Sequence, residues 1–374
     1  MMNCKIIRYD PLYNDQICEL EKEIWTPDPA VNKSYLQWKY LDNPYAALPK
    51  IYLALREGKV VAVRCLNESK WQLGNNGDGF TALCPGDTVI HPDHRNNAVY
   101  LELTKFLMND LYELGYRYLF SFSAGPTTLL YSLAIGWKSI GRIRTMSKDS
   151  DPRTAVRKIM SNHKMSKLIK NTKAAEFLRR AVNKFGRRKS LDYHKKLPAH
   201  IRVEENPVPG EMAALAGKLV KENKLVLTRD EKFYKWRYGN PFSKYVFLYW
   251  YDKEMKGCLV AQTSKFKNDY MENFNIIELE GVNSEIRMDL LKSAVSLLDS
   301  RSITIWSNML DENCRKLLAL NGFIESKSTS SAAEHTPTVL VTVTRGPAKV
   351  IEYQGTDLLD INNWDLKMLY SDAL

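Results

Sequence analysis

Long apolar runs are missing from this 374-residue sequence. None approaches the roughly 18 residues that a membrane-spanning helix needs, and residues 246–251 are among the longest. The first eight residues lack the apolar core of a signal peptide. Cysteine is sparse: the six residues Cys4, Cys18, Cys65, Cys84, Cys258 and Cys314 show no Cys-x-x-Cys spacing, which argues against a disulfide scaffold or structural zinc. None of the six histidines pairs with another at i, i+4, so no metal is expected. No Gly-x-x-x-x-Gly-Lys-[Ser/Thr] loop and no Gly-x-Ser-x-Gly elbow occurs, which sets aside P-loop and hydrolase-elbow chemistry. With 44% hydrophobic and 26% charged residues, the chain has the composition of an ordinary globular protein, expected in the cytoplasm with reduced thiols.

The net charge of +11 has one local source. Residues 153–196 hold 15 Lys and Arg against two acids, Glu176 and Asp192, and the rest of the chain is close to neutral. Phe177, Leu178, Ala181, Val182 and Phe185 follow helical spacing, with Arg179, Arg180 and Lys184 between them. The expectation is a basic amphipathic helical linker or insertion over 151–198. Such a segment suits peripheral contact with an anionic membrane, a polyanionic partner such as nucleic acid, or packing on its own protein.

An internal echo divides the remainder. Tyr35-Leu-Gln-Trp38-Lys39-Tyr40, leading to Asn43-Pro44, recurs as Phe233-Tyr-Lys-Trp236-Arg237-Tyr238, leading to Asn240-Pro241. Each copy closes a predicted helix, which Asn-Pro cannot continue, and precedes a predicted hairpin, 51–66 or 245–262. The first half then reads strand 80–91, helix 97–114, strand 118–121, helix 127–134 and closing strand 137–144. The second reads strand 275–280, helix 284–298, strand 302–306, helix 311–320 and closing strand 339–344. The fold class expected is α+β: two tandem units, each a mixed, mostly antiparallel sheet flanked by helices. Their bounds are expected at 1–150 and 199–350, with a tail over 351–374.

The stretch Asp87-Thr88-Val89-Ile90-His91-Pro92-Asp93-His94-Arg95-Asn96-Asn97-Ala98-Val99-Tyr100 resembles the strand–loop–helix signature of the GNAT superfamily of acyl-CoA N-acyltransferases. Leu133-Ala-Ile-Gly136-Trp137 is similar to that family's Gly-Phe turn. The Trp-Lys-Tyr element followed by Asn-Pro, together with the His-Pro loop, resembles tandem members associated with bacterial surface-polysaccharide biosynthesis. The resemblance implies acetyl-CoA or another acyl-CoA as co-substrate, held by Val89, Ile90, Arg95, Asn96, Asn97, Ala98, Val99 and Tyr100. Ala98 and Tyr100 depart from the family's glycine and small residue. The physical basis is a helix N-terminus, whose unpaired N–H groups favour a diphosphate.

Tyr131 is the candidate general acid and Asp87 the candidate base, although the family's tyrosine position falls on Ser132, one residue on. In the second unit the matching stretch, 279–290, lacks the Arg-x-x-Gly-x-Gly pattern and carries Glu280 and Glu285, so that unit is expected not to bind acyl-CoA. The function implied is acyl transfer to an amine, such as an amino sugar on a nucleotide or lipid carrier, by a cytoplasmic enzyme that reaches the inner membrane face through 153–196. Two alternatives stay open: a tandem GNAT using aminoacyl-tRNA to build peptide links, and a non-catalytic GNAT-fold binding protein.

Overall fold

The structure, a computed structural model, describes residues 4–74, 79–95, 97–124, 126–149, 197–264, 273–298, 302–308, 310–326, 338–345 and 350–371. The basic segment 153–196 and Asn96 lie outside the described residues. The described chain forms two compact units, one of residues 1–143, 207–243 and 327–374, the other of 144–206 and 244–326. The units therefore interleave along the chain, unlike the sequential bounds 1–150 and 199–350 expected above. Among the described residues no helix is long and apolar enough to cross a membrane.

The first unit is built on strands β1 (Lys5–Arg8), β2 (Lys50–Arg56), β3 (Lys59–Leu73), β4 (Phe80–Ile90), β5 (Tyr118–Ala124), β6 (Lys138–Arg142) and β15 (Thr338–Val343). They pair in the order β1-β2-β3-β4-β5-β15-β6, with β9 (Leu225–Leu227) added beside β3. All pairs are antiparallel except β4 with β5. Period-two alternation sends Ile51, Leu53 and Leu55 of β2 to one face and Tyr52 and Ala54 to the other. On the first face lie Ile17, Cys18, Leu20, Leu36 and Tyr40, from α1 (Asn14–Leu20), α2 (Pro29–Leu36) and the turn after it. Asp28 starts α2 by accepting from the Ala30 N–H, with Pro29 at its first position. The helix that the first motif copy closes therefore begins at Pro29, and a wide π turn, Gln37–Leu41, ends it. On the other face α3 (Asn97–Glu113) buries Val99, Leu103, Leu107 and Leu111 at helical i, i+4 spacing. Each such side chain contributes about 1.5–3 kcal/mol of apolar burial.

The two copies of the repeated motif meet inside this unit. The Trp38 indole donates to the Trp236 carbonyl (2.6 Å), the Trp236 indole donates to the Trp38 carbonyl (2.7 Å), and the rings stack 5.5 Å apart. Asn43 accepts from the Tyr45 N–H and Asn240 from the Phe242 N–H, so each Asn-Pro pair forms the same turn.

The closing strands correct the expected order. The predicted strand 137–144 breaks into β6 and β7 (Thr145–Lys148), and β7 joins the second unit's sheet. The closing strand of the second half, β15, lies instead between β5 and β6. Residues 351–374 are not a loose tail where described. Trp364, 1% exposed, packs 4.8 Å from Phe120 and 5.5 Å from Trp71. Burial pushes the Asp365 carboxyl up, but Lys367 and Lys221 outweigh it and hold it well below the usual carboxylate range.

The second unit pairs β14 (Ile324–Glu325), β7, β13 (Ser302–Trp306), β12 (Asn273–Gly281), β11 (Glu254–Ser264), β10 (Ser243–Asp252) and β8 (Ile201–Glu204) in that order. Only β12 and β13 run parallel. The helices Ser284–Leu297 and Glu312–Leu320 cover a core that includes Leu259, Ile276, Leu290, Leu291, Ile303 and Leu318.

Candidate functional site

The site begins where two parallel strands stop pairing. The β4–β5 register runs over Ala82↔Tyr118 and Leu83↔Leu119 and, among the described residues, does not continue along 120–124 of β5. On its other edge β4 bulges: Arg64↔Thr88 is followed by Leu66↔Pro85, so three residues of β4 span two of β3. Pro85, which has no N–H to donate, stands at the bulge beside Gly86 and Asp87. Between the parted strands lies a cavity of about 590 Å³, within the size range of small-molecule sites. Pro85, Gly86, Asp87, Thr88 and Ile90 line it from β4, and Ser121, Ser123 and Ala124 from β5. Trp25, Arg64, Arg95, Tyr100, Thr128, Tyr131, Ser132 and Trp137 complete the wall.

Two helices frame the opening. The first turn of α3 brings Tyr100 to the cavity, and the first N–H groups of a helix have no partner within it. α4 (Pro126–Ala134) brings Tyr131 and Ser132. It ends where Gly136 takes φ +99° and the Trp137 N–H bonds back to the Ser132 carbonyl, a cap that requires the left-handed conformation. Gly322 and Phe323 repeat this cap in the second unit. The Tyr131 ring lies 5.7 Å from that of Tyr100. The one-residue offset from the family's position therefore does not remove Tyr131 from the cavity, because adjacent residues of α4 both reach it.

The residues expected to hold the acyl donor divide. Ile90, Arg95 and Tyr100 line the cavity. The Val89 and Val99 side chains do not, being packed in the two cores on opposite faces of the sheet. Ala98 is exposed and is not part of the cavity wall. Arg95 donates through Nε to the Ile90 carbonyl (3.0 Å) and through Nη2 to Glu23 (2.9 Å).

Asp87 is 5% exposed and sits in a buried polar cluster. Its Oδ2 accepts from the Tyr40 hydroxyl (2.8 Å), and Lys39 Nζ lies 3.4 Å from Oδ1. Lys39, itself 2% exposed, also donates to the Tyr35 hydroxyl (3.1 Å). Glu21 belongs to the same cluster and was missed by the sequence reading. It is fully buried, and neither carboxyl oxygen has a hydrogen-bond partner among the described residues. Burial first, then the charge of Asp87, pushes its pKa up to about 9, so Glu21 is neutral at pH 7.

The corresponding place in the second unit is arranged differently. β12 and β13 pair over four positions, up to Ile276↔Ile305, leaving only Trp306 beyond the last pair on β13. Asn283 caps the following helix at the Ile286 N–H. Arg287 donates to the Gly281 carbonyl (2.8 Å) and through Nε and Nη2 to Asp311 (3.0 and 2.7 Å), occupying the turn with protein contacts. A Cβ on Gly281 would fall 2.9 Å from Arg287 Cγ, so the helix lies against the strand at that point.

Two mixed sheets, each with one parallel pair and helical cover, define the class: a GNAT fold in tandem. Solved structures of that fold are correspondingly similar. A GCN5-related N-acetyltransferase from Anabaena variabilis ATCC 29413 is 10% identical, with a TM-score of 0.58, over 92% of this chain and 73% of that one. A probable N-acyltransferase from Enterococcus faecalis V583 is 9% identical with a TM-score of 0.59, again over 92% and 73%. A tandem GNAT protein from the clavulanic acid biosynthesis pathway is 10% identical with a TM-score of 0.52, over 92% of this chain and 99% of that one. At such identities the likeness is one of fold. No protein-family model and no curated protein matches the sequence.

Proposed function

We propose that the first unit is an N-acyltransferase that moves an acyl group from acyl-CoA to an amine. The observation that carries this is the splay of β4 from β5 beside the first turn of α3. A thioester arm entering between the strands would lie along the edges of β4 and β5 beyond their last register pair, and the α3 turn would favour its phosphates. Asn97 and Ala98 would contribute through their backbone, and Ile90, Arg95 and Tyr100 form the adjoining wall.

In this reading the amine, once deprotonated, attacks the thioester carbonyl. The carbon–nitrogen bond forms, the carbon–sulfur bond breaks, and the departing thiolate takes a proton. Tyr131, on the cavity wall, supplies that proton and regains one from the nitrogen as the amide forms. Asp87, held between Tyr40 and Lys39, draws the ammonium form of the acceptor into the cleft and takes its proton directly or through water. Of the bulge residues, Pro85 has no N–H and that of Asp87 donates to the Tyr40 hydroxyl, so the Gly86 N–H is the one that would stabilise the developing oxyanion. An amino sugar on a carrier is the acceptor implied by the tandem polysaccharide-type resemblance. In this reading the basic segment 153–196 would bring the enzyme to the membrane face where such an acceptor lies.

The test is thiol release from acetyl-CoA with a panel of primary amines, amino sugars included. Tyr131→Phe is expected to lower kcat by about 10²-fold or more, the scale of general acid catalysis, with little change in KM. An unchanged kcat in Tyr131→Phe alongside a loss in Ser132→Ala would move the acid to Ser132. No amine-dependent release by the wild type would refute the reaction.

A further inference from the structure

Three charged side chains line the cleft, and two have protein counter-ions: Asp87 has Lys39, and Arg95 has Glu23. The third, Arg64 of β3, has neither an ion pair nor a hydrogen bond among the described residues. It is 6% exposed, and its Nε is sealed from water without an acceptor. Strand register explains its direction. Ala62 and Leu66, two residues to either side, pack in the core under α3, whereas Val63 and Cys65 pack on the opposite face. Arg64 therefore points to the α3 side, where its guanidinium carbon lies 5.0 Å from the centre of the Tyr100 ring. A cation–π contact offsets only part of the cost of taking a guanidinium out of water.

We propose that Arg64, stacked on Tyr100, is the anion-recognition residue of the cleft, its Nη atoms holding an oxyanion of a bound substrate. This rests on the reading of the cleft as a substrate site. The oxyanion has two sources, a phosphate of the acyl donor or a carboxylate of the amine acceptor. Two departures from the GNAT signature fit together on this account. Tyr100 replaces a small residue and supplies the face on which the guanidinium stacks. Arg95, tied to Glu23 and the Ile90 carbonyl, leaves the anion-binding role to Arg64. A planar guanidinium fixed on a ring presents its N–H groups in one direction, the geometry that a carboxylate or phosphate accepts.

The test compares the full-length wild type with Arg64→Lys and Arg64→Met. Each is titrated at constant ionic strength with inorganic pyrophosphate, CoA and pantetheine, and KM is measured for amines with and without a carboxylate. Pyrophosphate is expected to bind the wild type at least tenfold more tightly than Arg64→Met, with Arg64→Lys between them, the scale of a charge-assisted contact. A phosphate source predicts weakened CoA binding and unchanged pantetheine binding in Arg64→Met. A carboxylate source predicts unchanged CoA binding and a tenfold higher KM for the carboxylate-bearing amine alone. Ligand-free Arg64→Met is expected to melt at or above the wild type, because it removes a buried charge with no counter-ion among the described residues and keeps an apolar side chain against Tyr100. A fall of more than about 5 °C, or failure to fold, would make Arg64 structural and overturn the proposal. So would pyrophosphate, CoA and acceptor constants all within twofold of the wild type. Pyrophosphate binding lost in Arg64→Met, in a protein that never binds CoA, would keep the anion site while removing the acyl-CoA reading.

Discussion

Glu21→Gln should flatten the pH dependence of stability. In the folded chain Glu21 holds its proton up to about pH 9, whereas in the unfolded chain a glutamate ionises near about pH 4.3. Between those values the folded state carries one proton more, so stability falls as pH rises, and the full contribution is present only below the unfolded value. The slope from this one group is about 1.4 kcal/mol per pH unit, or about 4 kcal/mol between about pH 5.5 and 8.5. Glutamine keeps the shape and does not titrate. Its buried amide N–H groups cost about 1–3 kcal/mol without acceptors, but that offset is the same at every pH. Urea-unfolding midpoints of the two proteins, measured across this range, should therefore diverge, the variant gaining on the wild type as pH rises. Parallel curves would refute the reasoning, because they would mean that Glu21 ionises alike in both states.

Two further predictions concern the first unit. Trp38→Phe and Trp236→Phe each remove one indole donor and should cost about 1–3 kcal/mol in urea unfolding. Because the rings also stack, the double variant should depart from additivity by at least about 0.5 kcal/mol, and an additive cycle would contradict the contact. Trp364→Ala should cost about 3–5 kcal/mol, since it empties a fully buried site against Phe120 and Trp71. Unchanged stability would mean that residues 350–371 do not belong to this unit's core.

Much of this architecture was legible in local patterns. The repeated Trp-basic-Tyr motif signalled a duplication, and its copies adopt the same Asn turn. The strand–loop–helix from Asp87 to Tyr100 was placed correctly because period-two alternation gives way to i, i+4 spacing at Val99, Leu103 and Leu107. The same periodicities already implied that Val89 and Val99 point into the cores. Which sheet a closing strand joins was not legible. The sequences of β7 and β15 favour extension, but pairing is decided by distant residues, and each strand lies in the sheet built mainly by the other half. Arg64 did leave a signal: a lone cation in Val60-Val-Ala-Val-Arg64-Cys-Leu, a run buried on both faces. The cluster of Glu21, Lys39 and Asp87 left none, because its members are far apart in sequence and each is ordinary in its local setting.

If the cleft between β4 and β5 is the acyl-donor site, acetyl-CoA should bind there and not at the second unit, where Arg287 and Asp311 occupy the corresponding turn. Calorimetric titration of the full chain with acetyl-CoA tests this most directly, with Ser123→Trp as the variant that fills the cavity from β5. Saturable binding of one molecule per chain is expected, and its loss in Ser123→Trp. Two equivalents bound, binding unaffected by Ser123→Trp, or no binding to the wild type would contradict it.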